Sequence, residues 1–183
     1  MAYGFRPTQM AGSAYQTGGF VEVPINADNI EVDIFNGGAV TYTGGAGIDK
    51  LVDPVASSAT TAGVLVGARW VTASGDQKWG QFYDGATGNT EAYAFVVPAR
   101  GVIFRVKGNA AYTAAQAGTI MNTSGVAGSV TTGNSDLVVT NTVAGASPSV
   151  TIVGILSDGE NDSSTTPDIL VRFLAASIQE VLG

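Results

Sequence analysis

Short runs in which apolar residues alternate with polar ones, or stand side by side for a few positions, recur along this chain roughly every ten residues. They occupy residues 30–35, 39–42, 63–71, 78–83, 92–97, 102–107, 137–142, 150–156 and 169–174, with turn-forming residues between them. In 102–107, Val102, Phe104 and Val106 fall on one face of a strand and Arg105 and Lys107 on the other, the period of two expected of a half-buried strand. Ala94, Phe95, Val96 and Val97 are apolar throughout, which predicts burial on both faces, by a second sheet or by a neighbouring subunit. No helical period separates the runs, so the pattern predicts an all-β fold, an antiparallel β-sandwich or barrel, and not βαβ units. Gly63, Gly101 and Gly154 each open an apolar run; their unequal spacing excludes a solenoid and places them at strand bends. Residues 113–117 have the length of one helical turn, and 175–182 are a candidate terminal helical turn. Residues 122–133 and 145–149 are rich in Ser, Thr, Gly and Ala and are expected as exposed loops or hairpin tips.

Residues 1–25 follow neither period. Tyr3, Phe5, Tyr15 and Phe20 stand among Gly4, Gly12, Gly18 and Gly19, and Pro7 and Pro24 remove backbone donors. Such a segment has little with which to build its own sheet, and its aromatics need another surface. This predicts an extended arm over residues 1–25 followed by one β domain over 26–183, the arm either docking on a partner or folding back over its own domain. In the first case Tyr3, Phe5, Arg6, Tyr15 and Phe20 are the contact candidates. The segment lacks the charged stretch and continuous apolar run of a secretory signal.

Composition sharpens the picture. The chain has 183 residues, enough to bury a core, and 45% are hydrophobic while only 13% are charged. A freely diffusing domain usually carries about a quarter charged residues, so the deficit predicts that much of the surface meets protein. Self-association through the apolar strand at Phe95, Val96 and Val97 is the expected route. A net charge of −7, with eight scattered Lys and Arg, opposes general nucleic-acid binding. The nearest approach to a basic cluster, Arg100, Arg105 and Lys107, reads as a solvated strand face. No apolar run approaches the ~20 residues of a membrane-spanning helix, so no membrane role is expected.

The chain contains neither histidine nor cysteine. That removes a Ser-His-Asp triad, a thiolate nucleophile, disulfides and the ordinary zinc site, and it fits synthesis in a reducing cytoplasm. No phosphate-binding Gly-rich motif is present. Asp76, Asp84 and Glu91 lie close to Gly75, Gly85 and Gly88, where acidic residues serve turns more readily than glycoside hydrolysis. Asp158, Glu160 and Asp162 alternate like the start of a calcium loop, but the sixth and twelfth positions hold Ser163 and Ile169 where Gly and Glu are needed. The expectation is a non-enzymatic protein with no cofactor or metal.

The opening Met1-Ala2-Tyr3-Gly4-Phe5-Arg6-Pro7, then Gly18-Gly19-Phe20 and Ile34-Phe35-Asn36-Gly37-Gly38-Ala39-Val40, resemble the start of the capsid decoration (cement) proteins of tailed bacteriophages, in particular marine and cyanobacterial phages. Gly63-Val64-Leu65-Val66-Gly67-Ala68-Arg69-Trp70 and Tyr93-Ala94-Phe95-Val96-Val97-Pro98 extend the resemblance over most of the chain as short motifs. It implies a jelly-roll or β-tulip-like domain, a homotrimer on the outer surface of the virion, bridging subunits of the major capsid protein, and made in the bacterial host cytoplasm. It brings no catalytic residues. The competing expectation is a virion-surface adhesin that stacks host glycans on Trp70, Trp79 and Tyr83, set against core burial of both tryptophans.

Overall fold

The computed structural model describes residues 2–10, 19–26, 30–42, 48–50, 60–125, 127–143, 149–156, 165–175 and 178. It is all-β, and every strand ladder is antiparallel. One six-stranded sheet runs in the order β1 (Arg6–Met10), β8 (Val102–Lys107), β14 (Asp168–Phe173), β13 (Ser149–Leu156), β9 (Ile120–Ser124) and β12 (Val138–Val143). A second runs β2 (Val21–Pro24), β7 (Thr90–Pro98), β5 (Gly63–Val71), β3 (Ala39–Tyr42) and β4 (Ile48–Lys50), with β6 (Gln77–Gly80) hairpinned onto the far half of β5. One sheet curls into a half-barrel. A two-stranded ribbon, β10 (Gly128–Ser129) with β11 (Asn134–Ser135), stands apart from both sheets.

Two apolar clusters follow from this layout. The larger joins the inward residues of the first sheet, among them Phe104, Val106, Ile152, Ile169, Val171 and Phe173, to Val64, Val97 and Ala39 of the second. The smaller lies on the opposite face of the second sheet, where Leu65, Ala68, Trp70, Ala94 and Val96 pack with Ile34 and Tyr83. The double burial expected for 94–97 is met within one chain for three of the four residues, Ala94 and Val96 entering one cluster and Val97 the other, whereas Phe95 is only partly buried.

Strands β3, β5 and β8 have the predicted bounds, and β7, β12, β13 and β14 fall within two residues of theirs. Residues 30–33 are turn and bend instead of strand, joined to the fold by the Ile34–Tyr83 bridge. The stretch at 122–133 is not all loop, because Met121 and Thr123 turn inward in β9 and the ribbon follows. A single 3₁₀ turn at Ala114–Gln116 replaces the expected helical turn, closed by Thr113 N donating to Gln116 Oε1 at 2.7 Å. The candidate turn at 175–182 lies largely outside the described residues, as does the acidic 158–162 loop.

The largest departure concerns residues 1–25. Residues 6–10 form β1, paired with β8, and residues 21–24 form β2, paired with β7, so the described parts of this segment are edge strands of the two sheets. Of the two expectations for the arm, folding back over its own domain is the one these residues follow. Glycine makes the attachment possible. Gly4 (φ +68°) and Gly37 (φ +79°) both adopt backbone conformations that disfavour side chains, and a Cβ on Gly4 would stand 2.4 Å from the Gly37 carbonyl oxygen. The chains meet backbone to backbone, with Phe5 N donating to Gly37 O at 2.8 Å and Gly37 N to Leu65 O at 2.8 Å.

Candidate interaction surface

Phe5 is wholly buried, in a three-ring packing with Phe104 (5.8 Å between centroids) and Phe173 (4.9 Å). It is a core residue and not a partner contact, a correction that follows from its burial. Arg6 is also committed internally: its guanidinium donates to Asn134 Oδ1 at 2.5 Å and lies 5.9 Å from the Tyr3 ring, and burial lowers its pKa. Tyr3 lies beside Asp168 and Arg105. Tyr15 is outside the described residues. Val96 and Val97 are buried in the two internal clusters, which removes them from the expected oligomer interface.

Arg105 and Lys107 form a face that is only partly solvated, because both are drawn to one buried carboxylate. Lys107 stands opposite Asp168 across the β8–β14 ladder, and Arg105 follows on the same face. Arg105 Nε donates to Asp168 Oδ2 at 2.6 Å, its Nη2 closes a second contact to the same oxygen, and Lys107 Nζ lies 3.0 Å from Oδ1. The Tyr3 hydroxyl is buried against this group, although its geometry falls short of a full hydrogen bond. Burial alone would raise the Asp168 pKa, but the Tyr3 hydroxyl, Lys107 and Arg105 together outweigh it and hold the carboxyl below its usual value. Burial, reinforced by that carboxylate, pushes the Tyr3 hydroxyl well above the ordinary phenol range. The constellation holds a charge in place and presents no nucleophile; it is structural.

The remaining two residues, Phe20 and Phe95, come together. On β7 the alanines 92 and 94 face inward, so Tyr93 and Phe95 share the outer face. Phe95 pairs with Gly67 of β5, and a Cβ at 67 would be 3.2 Å from the Phe95 ring, so the glycine gives the ring room over the sheet. On one side Phe20 packs at 4.8 Å, and on the other Trp79 of β6 stacks at 5.7 Å and 29°. Beside this row the Arg69 guanidinium lies 4.1 Å over the Tyr93 ring while its Nε donates to Glu22 Oε1 at 2.6 Å. Phe20 is 58% and Trp79 69% exposed, the two large exposed aromatics among the described residues.

Trp79 was expected in the core and is instead the most exposed ring; Trp70 and Tyr83 do lie in the core, edge to face at 5.5 Å. A signal for this existed in the sequence. A hairpin closing at Thr72–Asp76, where Thr72 N donates to Asp76 O at 2.9 Å, places Trp79 opposite Arg69, and a residue opposite an outward arginine shares its face. Asp76 takes part in its turn, where Ser74 Oγ donates to Asp76 Oδ2 at 2.7 Å, whereas at Asp84 it is the main-chain carbonyl and not the carboxylate that accepts from Asn89 Nδ2 at 2.6 Å.

Among the described residues no group of three or more carboxylates is placed to hold a metal ion. No helix among them is long and apolar enough to cross a membrane. No protein-family model, curated protein or solved structure matches this chain.

Proposed function

We propose that this protein is a structural virion component that decorates and stabilises an icosahedral capsid by bridging neighbouring subunits of the major capsid protein. The observation that carries the reading is the row Phe20–Phe95–Trp79 on an outer sheet face, whose two end rings, Phe20 and Trp79, are open to solvent around a half-buried Phe95. Burying an exposed Phe or Trp is worth about 1.5–3 kcal/mol, and rigid aromatics held by their neighbours lose little entropy on docking. Phe20 also precedes β2, an end strand of its sheet, so a partner strand can add beside the aromatic row. A clamp that binds the assembled shell and not separated subunits raises shell stability by mass action.

In this reading the protein acts as a homotrimer on the outer capsid surface, since a closed cyclic oligomer matches three-fold lattice positions. It is made in the bacterial host cytoplasm and carries no catalytic step, cofactor, nucleic-acid or membrane contact. The aromatic row takes over the docking role first expected of the N-terminal segment, of which Phe20 remains.

Adding purified protein to isolated expanded shells tests this. The wild type should co-sediment and raise the shell disruption temperature, and a Phe20→Ala, Trp79→Ala variant should remain folded and lose at least about tenfold in affinity. A wild type that leaves the shells bare would overturn the reading. Sedimentation equilibrium at micromolar protein tests the trimer. A second reading, a glycan-binding adhesin, is favoured by the same open ring faces, which can stack on sugars; glycan-array binding without shell binding would select it.

A further inference from the structure

An open groove of about 790 Å³ lies between the 30–35 turn and the β10–β11 ribbon and shares no lining residue with the aromatic row. Phe35 contributes an aromatic ring to it, Val32 and Val130 line it with apolar surface, and Glu31 and Asp33 supply carboxylates. No lysine or arginine lines it, and neither carboxylate enters an ion pair among the described residues. Val130 is 64% exposed, so its apolar side chain offers contact area that nothing in the described chain covers.

Both walls are preformed. The turn is fastened by paired hydrogen bonds between Ile34 and Tyr83, by the Tyr83 hydroxyl donating to Ile30 O, and by Gly85 N donating to Asp33 Oδ1 at 2.9 Å. The ribbon is fastened where Asn36 N donates to Gly133 O and Ser135 N to Asn36 O, both at 2.9 Å. Gly128 fits flush against Phe35, where a Cβ would approach the ring to 2.2 Å. A groove held in this way needs little reorganisation on binding.

We infer that this groove binds a protein segment carrying an arginine or lysine flanked by aliphatic residues. The complementarity is double. A cationic head satisfies two carboxylates that have no counter-ion among the described residues, and the aliphatic stem and its neighbours cover Val32, Val130 and the Phe35 ring. A small anion is repelled, and a purely apolar segment would take water from the Glu31 carboxylate and leave Asp33 with the Gly85 N–H alone. The inference does not depend on the capsid reading, because shells can dock on the aromatic row with the groove empty.

The test is calorimetric titration of the whole chain with a capped Gly-Leu-Arg-Leu-Gly peptide and with its citrulline counterpart, which has nearly the same shape but no charge. The arginine peptide should bind saturably, weaken as salt rises from about 0.05 M to 0.5 M, and exceed the citrulline peptide by at least about tenfold. Glu31→Gln with Asp33→Asn should produce a similar loss while keeping the acceptor for Gly85 N, and Val130→Ser should weaken both peptides alike. Equal binding of the two peptides, unchanged affinity in the Glu31→Gln, Asp33→Asn variant, or no saturation by about 1 mM peptide would overturn the inference. So would calcium chloride binding at the groove where the peptide does not.

Discussion

Neutralising Asp168 tests how the N-terminal segment is held, because this one carboxylate gathers Arg105 and Lys107 from β8 and lies against Tyr3, just before β1. Its side chain is only 3% exposed, whereas those of Arg105 and Lys107 are 39% and 24% exposed. Removing one member of a fully buried pair costs about 3–5 kcal/mol. Here the two cations can regain water once the carboxylate is gone, which brings the expected cost of Asp168→Asn down to about 2–3 kcal/mol. In a domain of this size 1 kcal/mol shifts Tm by roughly 2–4 °C, so a fall of about 5–10 °C is expected at neutral pH. The pH dependence has a definite sign. A carboxyl whose pKa is lowered by folding stabilises the native state above its unfolded pKa, and that contribution is lost as pH falls through the native value. The gap between wild type and variant should therefore hold steady from pH 8 to about pH 5 and close in more acidic solution. Urea unfolding of Asp168→Asn, Arg105→Met and the double variant measures the coupling directly, expected at about 1–2 kcal/mol. An unchanged Tm for Asp168→Asn, or a coupling near zero, would refute the reasoning.

Phe5→Ala should cost about 3–5 kcal/mol, since it empties the centre of a packed three-ring group; guanidinium unfolding monitored by circular dichroism checks this, and a near-neutral result would return Phe5 to the surface. The two tryptophans should respond in opposite ways: Trp70→Ala should lose about 3–5 kcal/mol, whereas Trp79→Ala should lose only the roughly 0.5–1 kcal/mol of its stacking on Phe95, as read by thermal unfolding of each variant.

The fold class was legible because period-two alternation reports directly on sheet faces, and β8 shows it from Phe104 to Lys107, although Ile103 is buried on the other face. Strand β9 was not legible, since Thr123 occupies an inward position and breaks the apolar signal although it is buried as fully as Met121. Strand β1 was hidden for a different reason. Gly4 and Pro7 read as disorder signals when taken alone, yet the glycine is required by close contact with Gly37, and the proline sits next to a register shift at the sheet edge. Close approach of two backbones from positions 4 and 37 is a tertiary fact that no local window contains. The grouping of Phe95 with Val96 and Val97 failed for two reasons: Val96 faces the opposite way by strand parity, and Val97, on the face of Phe95, is covered by the first sheet. Asp168 left no signal beyond its place at the start of an apolar run; its partners emerge only from the β8–β14 register.

The distribution of volume across β7 links these points to function. Alanines 92 and 94 take the inward positions, where the second sheet must accept Trp70, Tyr83 and Ile34 against it, while Tyr93 and Phe95 take the outward ones. On the same outer face Val97 and Val64 are covered by the first sheet, but that cover ends before Phe95. The chain thus places its bulkiest residues of this strand where its own fold buries them only in part, and adds Phe20 and Trp79 on either side of Phe95. Packing explains the small inward residues; it gives no reason for rings on the outside, since polar residues there would serve an isolated domain better. Gly67 adds to this, because a Cβ there would come within 3.2 Å both of the Phe95 ring and of the Gly80 carbonyl oxygen, so the bare backbone lets the ring lie close to the sheet where β6 pairs with β5. It is on this surface that the proposed docking role rests, and Phe20 and Trp79 are the residues whose removal tests it.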